Sequence, residues 1–299
     1  MYDVVILTDN RYVNPTKNDW YIDQVLLEDQ LLLDALTKKG LTVCKKDWAF
    51  KNFDWTSTKY AIFRSTWDYF ERFDEFFIWL EDTKKKTTFI NSSEIINWNI
   101  DKHYLQDLAK NKVNIAPTLF VEKGDRITLA QLFDKANWKE AVLKPAISGA
   151  ARQTYRIHPN NCSEFETLFQ KLIVNESMLF QEFLNNIITQ GEISLILIGG
   201  KYTHAVKKIA KMGDFRVQDD HGGRVEKYTP TKEEILFAEN CLIASPFKPK
   251  YARVDIVYDN NNKPSLSELE LIEPELWFRN YPLAAEKLAE EISNLVISK

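Results

Sequence analysis

Two alternating segments, residues 252–258 and 266–272, flank an Asn-rich turn and carry the charged residues best placed for chemistry. Alternation around such a turn is typical of a β-hairpin. A turn centred on Asn261 and Asn262 would pair two sets of charged residues: Asp255 with Glu268, and Arg253 with Glu270. All four then share one face of the hairpin, because side chains alternate along a strand.

Opposed carboxylates on this face would repel each other. A bound Mg²⁺ removes the repulsion, because carboxylate oxygens and substrate phosphates are its preferred ligands. The pattern therefore favours a metal site that includes Asp255 and Glu268. It is also compatible with a solvated outer face on which Arg253 pairs with Glu270.

Several familiar catalytic patterns are absent from the sequence. It contains no GxxxxGK[ST], GxGxxG, HExxH or GxSxG segment, and its four histidines are scattered. Histidine or serine chemistry is therefore disfavoured. Lys, Arg, Asp and Glu with a hard metal remain, and that combination suits phosphoryl transfer.

Lys144 ends an apolar strand and precedes a loop of small residues that contains Ser148 and Gly149. A lysine ammonium followed by uncovered backbone N–H groups can bind a polyphosphate. A surface lysine before a turn gives the same pattern. Lys102 lies on a predicted helix, and by itself it looks like an ordinary solvated lysine.

Residues 180–184, Phe-Gln-Glu-Phe-Leu, form an apolar strand with two polar residues inside it. The segment is typical of an ordinary edge strand, or of a linker whose backbone N–H and C=O groups meet the edge of an adenine. Glu192 follows Gly191 and could accept hydrogen bonds from ribose hydroxyls.

The positions of these residues depend on the strands and helices around them. Over roughly the first 90 residues, strands and helices alternate, which favours a parallel α/β layer. Strands are predicted at 4–7, 41–44 and 60–63, with helices at 23–39 and 73–80. The middle of the chain predicts helices at 100–109, 128–135 and 163–172 and strands at 118–121, 141–144 and 178–183. The last third is rich in strands, with helices at 232–241 and 284–296.

Composition limits the function classes. The chain has 299 residues, 44% of them hydrophobic, and 39 basic against 43 acidic residues give a formal charge of −4. Such a balance disfavours nucleic-acid binding. Three scattered cysteines, a first segment unlike a signal peptide and apolar runs too short to span a bilayer predict a cytoplasmic protein without membrane association.

The order of these segments resembles the ATP-grasp superfamily. The hairpin is similar to that of the D-alanine–D-alanine ligases, with Glu270 where they have Asn. Residues 213–218, Gly-Asp-Phe-Arg-Val-Gln, with Gly222 and Gly223, resemble a stretch of the glutathione synthetases and ribosomal-protein glutamate ligases, with Gln218 in place of Asn. The resemblance implies an N-terminal parallel α/β domain (1–90) and two α+β units (91–185 and 186–299) that clasp ATP.

A narrower resemblance involves residues 64–69, Arg-Ser-Thr-Trp-Asp-Tyr, which follow a predicted strand. They are similar to a signature of the ATP-grasp subgroup that includes the cyclo-ligase of cycloserine biosynthesis. Arg64, Trp67 and Asp68 are then expected to bind substrate, since ligands of α/β sheets bind beyond the strands' carboxyl ends. Alternatively, Trp67 and Tyr69 complete the core while Arg64 pairs with Asp68.

The resemblance implies an ADP-forming ligase that joins a small amino-acid-like carboxylate to an amine through an acyl phosphate. ATP and Mg²⁺, or Mn²⁺ in its place, are the implied cofactors. The implied ATP-binding residues are Lys102, Lys144, Ser148, Gly149, Gln181, Glu182, Phe183, Leu184, Glu192 and Lys208. The metal would be held by Asp255, Glu268 and Glu270, and the oxyanion stabilised by Arg216 and Arg253.

Other functions remain open at this level. A Mg-ATP-binding sensor without catalysis could use the same scaffold, and a plain amino-acid-binding protein could use the first domain. The substrates are not specified by the sequence, and a homodimer, common in similar enzymes, is neither favoured nor excluded.

Overall fold

The computed structural model describes residues 1–16, 19–217 and 222–297 of the chain. Its first sheet is parallel, with strand order β2-β1-β3-β4. The strands are β1 (Tyr2–Thr8), β2 (Val43–Asp47), β3 (Thr58–Ser65) and β4 (Thr88–Ile90). The buried β-branched and aromatic residues of β1 and β3 explain why these segments form the centre of the sheet.

Helices cover both faces of this sheet. They are α1 (Trp20–Lys38) and α2 (Phe73–Thr83), and α1 begins after Asp19, whose side chain accepts from the N–H groups of Tyr21 and Ile22. The C-terminal helix α9 (Leu283–Ile297) returns to the first sheet: Leu288 and Ile292 share a core cluster with Leu32 of α1. The last segment of the chain therefore packs with the first.

The central sheet is antiparallel, with order β5-β8-β6-β7. Its strands are β5 (Thr118–Val121), β6 (Ala141–Pro145), β7 (Tyr155–Ile157) and β8 (Met178–Glu182). Two helices, α5 (Leu129–Ala136) and α6 (Cys162–Asn175), complete a core of their own on this sheet.

The last sheet is also antiparallel, with order β11-β10-β9-β12-β13. Its strands are β9 (Glu192–Ile198), β10 (Lys201–Ile209), β11 (Arg224–Tyr228), β12 (Tyr251–Tyr258) and β13 (Pro264–Glu270). The helix α8 (Lys232–Ala244) begins with a capping box between Thr231 and Glu234 and packs on this sheet.

One predicted helix begins later than expected. The helix predicted over 100–109 is α4 (Tyr104–Lys110), and an additional helix, α3 (Ser93–Asn99), precedes it, with Lys102 in the turn between them. The backbone N–H of Lys102 donates to the carbonyl of Ala146, 3.0 Å away, so the turn is tied to the central sheet. The short elements β4, β7, β11 and α7 (Asn186–Gln190) are additions to the predicted order.

The predicted fold class is confirmed: a parallel α/β layer is followed by two antiparallel α+β layers. The division at residues 90 and 185 stays a prediction, and α9 crosses it by packing on the first layer. All three cysteines carry free thiols. Within residues 1–16, 19–217 and 222–297, no helix combines the length and apolar character needed to cross a membrane.

Candidate active site

A cavity of about 260 Å³ lies where the three sheets meet. Its wall is formed by residues after β3, by the ends of β6 and β8, and by one face of the β12–β13 hairpin. The first layer contributes Trp67, Tyr69 and Phe70, and the central layer contributes Lys144 and the loop after it. The site thus depends on all three parts of the fold.

The hairpin has the predicted register at its charged residues. Asp255 lies opposite Glu268, and Arg253 lies opposite Glu270. A β-bulge between Asp255 and Ile256 shifts the pairing towards the turn, where Ile256 lies opposite Leu266. The predicted turn centre is therefore wrong by this shift, although the pairing at the site is confirmed.

Asp255 lies at the centre of a buried network. It accepts hydrogen bonds from the Ser194 hydroxyl at 2.6 Å, the Lys208 ammonium at 3.2 Å and the Arg253 guanidinium at 2.9 Å. Burial opposes ionisation of this carboxyl, but Arg253 and Lys208 outweigh it and lower its pKa to about 2. Asp255 is therefore an anion in the folded protein.

The two glutamates of β13 differ in their electrostatics. Burial raises the pKa of Glu270, and the neighbouring Glu268 and Asp255 add to the effect, although Arg253 contacts its carboxylate. Burial opposes ionisation of Glu268 as well, but Lys102 and Lys144 outweigh it and lower its pKa. Lys102 Nζ lies 3.1 Å from Glu268 Oε1.

These carboxylates fit a hard divalent cation by their chemistry. Asp255 and Glu268 lie opposite each other on neighbouring strands, and Glu270, whose pKa burial raises, lies on the same face, so an Mg²⁺ ion would relieve the repulsion among the three carboxylates. In the described part of the chain, no three acidic, His or Cys side chains converge in a ligand arrangement. Asp255, Glu268 and Glu270 instead each form an ion pair with a lysine or an arginine.

The three predicted lysines come together on the cavity wall. Lys102 donates to the carbonyl of Ser148 at 2.5 Å, and burial lowers the pKa of Lys144. Burial opposes the charge of Lys208 too, but Asp255 and Glu192 outweigh it and raise its pKa. Three ammonium groups around one cavity can neutralise a polyphosphate.

The loop after β6 approaches the first layer closely. Ser148 and Gly149 line the cavity, and a Cβ on Gly149 would lie only 2.7 Å from Phe70 Cε1. Ala150 and Ala151 follow with left-handed φ angles of 49° and 53°. Glycine is therefore required at position 149 by the aromatic ring packed against it.

The predicted hinge residues Gln181, Glu182, Phe183 and Leu184 all line the cavity. Two of their backbone N–H groups are already used, since Glu182 donates to Pro117 at 2.8 Å and Phe183 donates to Glu140 at 3.1 Å. The Phe183 carbonyl accepts from Asn260 at 3.1 Å. An adenine would therefore have to use the other backbone groups of this segment, and the predicted adenine contact stays a prediction.

Glu192 lines the cavity as predicted. Its carboxylate forms an ion pair with Lys208, and burial raises its pKa. The contact of Glu192 with a ribose stays a prediction.

At the first-layer end, only one of the three predicted substrate residues reaches the cavity. Trp67 lines it and donates its indole N–H to the Glu273 carbonyl at 3.0 Å. Arg64 does not line it: it is 3% exposed, donates to the Pro274 carbonyl at 3.0 Å and lies over the Phe278 ring. The prediction for Arg64 is corrected, since this side chain joins two layers of the fold.

Asp68 is corrected in the same way. It accepts from the Trp48 indole at 2.7 Å and from Arg72 at 2.8 Å, and it does not line the cavity. The alternative pair of Arg64 with Asp68 is likewise not formed, because the cation on Asp68 is Arg72.

The two predicted arginines line the cavity. Arg253 bridges Asp255 and Glu270, while Arg216 lies 2.7 Å from Asp214 in the loop before β11. Gln218, the residue that departs from the resembling segment, is outside the described residues.

Among the cavity-wall residues that sequence reasoning missed, Glu273 and Trp277 stand out. Trp277 is 2% exposed, has a φ of 47° and lies under the charged groups of Lys208 and Arg253. Both residues follow β13 in an irregular segment, where no periodicity marks the direction of a side chain. The Glu-Pro pair at 273–274 is the one sequence signal that could have drawn attention there.

Comparisons with known proteins agree with this geometry. Residues 4–91 match the family model of the D-cycloserine synthetase DcsG N-terminal domain, and residues 106–247 match that of the prokaryotic glutathione synthetase ATP-grasp domain. The cycloserine biosynthesis protein DcsG of Streptomyces lavendulae is 27% identical over 259 residues, which cover 82% of this chain and 86% of that protein.

Solved structures show the same relationship. The crystal structure of D-cycloserine synthetase DcsG aligns with a TM-score of 0.86 at 25% identity, over 98% of this chain and 99% of that one. A D-alanine–D-alanine ligase of Bacillus anthracis aligns with a TM-score of 0.64 at 15% identity, over 100% and 98% of the two chains, which shows a shared fold.

Proposed function

We propose that this chain acts as an ATP-grasp ligase, which its family matches and fold support, and that it forms ADP while joining a small amino-acid-like carboxylate to an amine through an acyl phosphate. The observation that carries the proposal is the opposed pair of Asp255 and Glu268 on a cavity wall that also holds three lysines. Such a set of charges suits transfer of a phosphoryl group, in which positioning and charge neutralisation do most of the catalysis.

Mg²⁺ would be held by Asp255, Glu268 and Glu270, and when bound it would neutralise phosphate charge. Mn²⁺ has the same ligand preferences and is the alternative ion. Binding would require Glu270 to leave Arg253 and Glu268 to leave Lys102, which are their partners in this structure. The basic groups released in this way would then face the phosphates.

The chain's own residues would divide the work along the cavity. Lys102 and Lys144 would bind the phosphates beside the loop of Ser148 and Gly149. Lys208 would lie towards the transferred group, since it is already beside Asp255. Arg253 and Arg216 would stabilise the oxyanion that develops when the amine attacks the acyl phosphate.

The substrate class rests on the first layer. Its match to the DcsG N-terminal domain and the Trp67 wall support a small amino-acid-like molecule. The two curated and solved relatives are named for cycloserine synthesis, which supports a cyclised product as one candidate for this chain.

The proposal can be tested without knowing the natural amine. Hydroxylamine traps acyl phosphates as hydroxamates, so the protein with ATP, Mg²⁺ and hydroxylamine is screened against single D- and L-amino acids for ADP release. We expect ADP and hydroxamate to form with a restricted set of them and to require Mg²⁺.

Glu268→Gln should abolish this activity, because it removes one of the two opposed carboxylates. The melting temperature is measured alongside, because Lys102, whose side chain is only 8% exposed, loses its carboxylate partner in this variant. Glu286→Gln is the control, because Glu286 lies on α9 in an exposed pair with Lys38. Equal ADP release by Glu268→Gln and the control would contradict the metal assignment.

A further inference from the structure

Two carboxylates of the cavity wall, Glu182 and Glu273, form no ion pair among the described residues, and Glu182 accepts from the Asn260 amide at 3.0 Å instead. Glu192, Asp255, Glu268 and Glu270 each contact a lysine or arginine, whereas no ion pair among the described residues includes Glu273. Glu273 nevertheless lines the same cavity. The carboxylate of Glu273 therefore has no ion-pair partner within the part of the chain that the structure describes and is available to a group that enters the cavity.

Glu273 is held in a fixed position. Its backbone carbonyl accepts from the Trp67 indole at 3.0 Å, and the carbonyls on either side accept from Tyr251 at 2.6 Å and from Arg64 at 3.0 Å. The hydroxyl of Tyr69 hydrogen-bonds its carboxylate. The orientation of the carboxylate is thus set by the first layer.

The surroundings of Glu273 select for a nitrogen group. Burial raises the pKa of this carboxyl to about 7, so a bound N–H or ammonium stabilises its charged form. Trp67 and Tyr69 line the same end of the cavity, and aromatic faces attract cations.

We propose that Glu273, oriented by Tyr69, binds the amine nitrogen that attacks the activated carboxylate and accepts the proton it loses. This proposal rests on the proposed function. The neutral nitrogen forms the C–N bond with its lone pair, and the acyl C–O bond breaks with its electrons going to phosphate. The proton that the nitrogen must then release passes to Glu273.

The test compares two nucleophiles in one enzyme. Glu273→Gln and the wild type receive ATP, Mg²⁺ and the D- and L-amino acids as carboxylates, with either hydroxylamine or ammonium chloride and glycine as nucleophile. Removing a general base costs about 100-fold or more in rate. We expect that loss with ammonia and glycine, but a change of less than about threefold with hydroxylamine, which is a stronger nucleophile and needs less assistance.

Two further variants make the result specific. Tyr69→Phe should lower the amine-dependent rate less than Glu273→Gln does, because it removes only the orienting hydroxyl. Glu273→Asp keeps the charge and should retain part of the amine-dependent rate. If Glu273→Gln folds poorly, the amine-dependent rate of Glu273→Asp still tests the role of this carboxylate.

Each outcome separates the two proposals. Equal losses with hydroxylamine and the amines in Glu273→Gln, or no loss with either, would overturn the role of Glu273 while the ligase proposal stands. A wild type that releases no ADP with hydroxylamine and any of the amino acids would overturn both.

Discussion

The contact of Gly149 with Phe70 predicts that a single methyl group will weaken ATP binding. In Gly149→Ala the new Cβ would lie 2.7 Å and 2.9 Å from two atoms of the Phe70 ring. Carbon atoms in contact normally lie about 3.5–4.0 Å apart, so the loop or the ring must move by about 1 Å. Phe70 is 9% exposed and belongs to the core of the first layer, which makes the loop the part that moves.

The expected cost follows from this displacement. Overpacking of this kind costs about 1–3 kcal/mol. The loop also carries the Ser148 carbonyl that holds Lys102 at 2.5 Å, so its movement displaces a phosphate-binding lysine. A loss of about 1.4 kcal/mol is a tenfold rise in Kd, and we expect at least that for ATP with Mg²⁺ measured by isothermal titration calorimetry.

A double-mutant cycle checks the cause. Phe70→Leu shortens the ring side of the contact, so the Gly149→Ala/Phe70→Leu protein should bind ATP more tightly than the sum of the single changes predicts, by about 1–2 kcal/mol. The melting temperatures of the four proteins separate a loss of folding from a loss of binding. Strictly additive changes in ATP affinity would refute the argument.

Two further predictions concern residues outside the cavity. Arg64→Met should lower the melting temperature and leave the KM values within about twofold, because Arg64 holds the Pro274 carbonyl between two layers; a raised substrate KM with unchanged stability would restore the substrate role. His204 has its pKa lowered to about 4, first by burial, so its stabilising effect is present above about pH 6.5 and is lost as pH falls towards 4. Urea unfolding at pH 7 and pH 5 should therefore show a loss about 2 kcal/mol smaller in His204→Gln than in the wild type, and identical losses would contradict this.

The register of the metal hairpin could be predicted because alternation and a turn fix which side chains share a face. This reasoning places Asp255 opposite Glu268, as the structure has them. The bulge beside them could not be predicted, since one extra residue near a turn leaves the alternation of the site residues unchanged.

Arg64 and Glu273 mark the limit of sequence reasoning. Both faces of a parallel sheet are covered by other elements, so a polar residue at the end of a strand can face either a cavity or a neighbouring layer of the fold. Arg64 faces the neighbouring layer, where it donates to the Pro274 carbonyl. Glu273 lies after β13, where the backbone is irregular and its hydrogen-bond partners come from more than 200 residues away in the chain. Such long-range contacts leave no local pattern in the sequence.

The packing of α9 against α1 means that the two ends of the chain form one folded body. Leu32 and Leu36 lie in a core shared with Leu288 and Ile292, and the backbone N–H groups of Phe278 and Arg279 donate to Glu28. A fragment cut after residue 90 would leave that apolar surface open to water and Glu28 without its amide donors. Residues 1–90, which a sequence alignment would treat as an independent domain, therefore need α9 to cover their apolar surface.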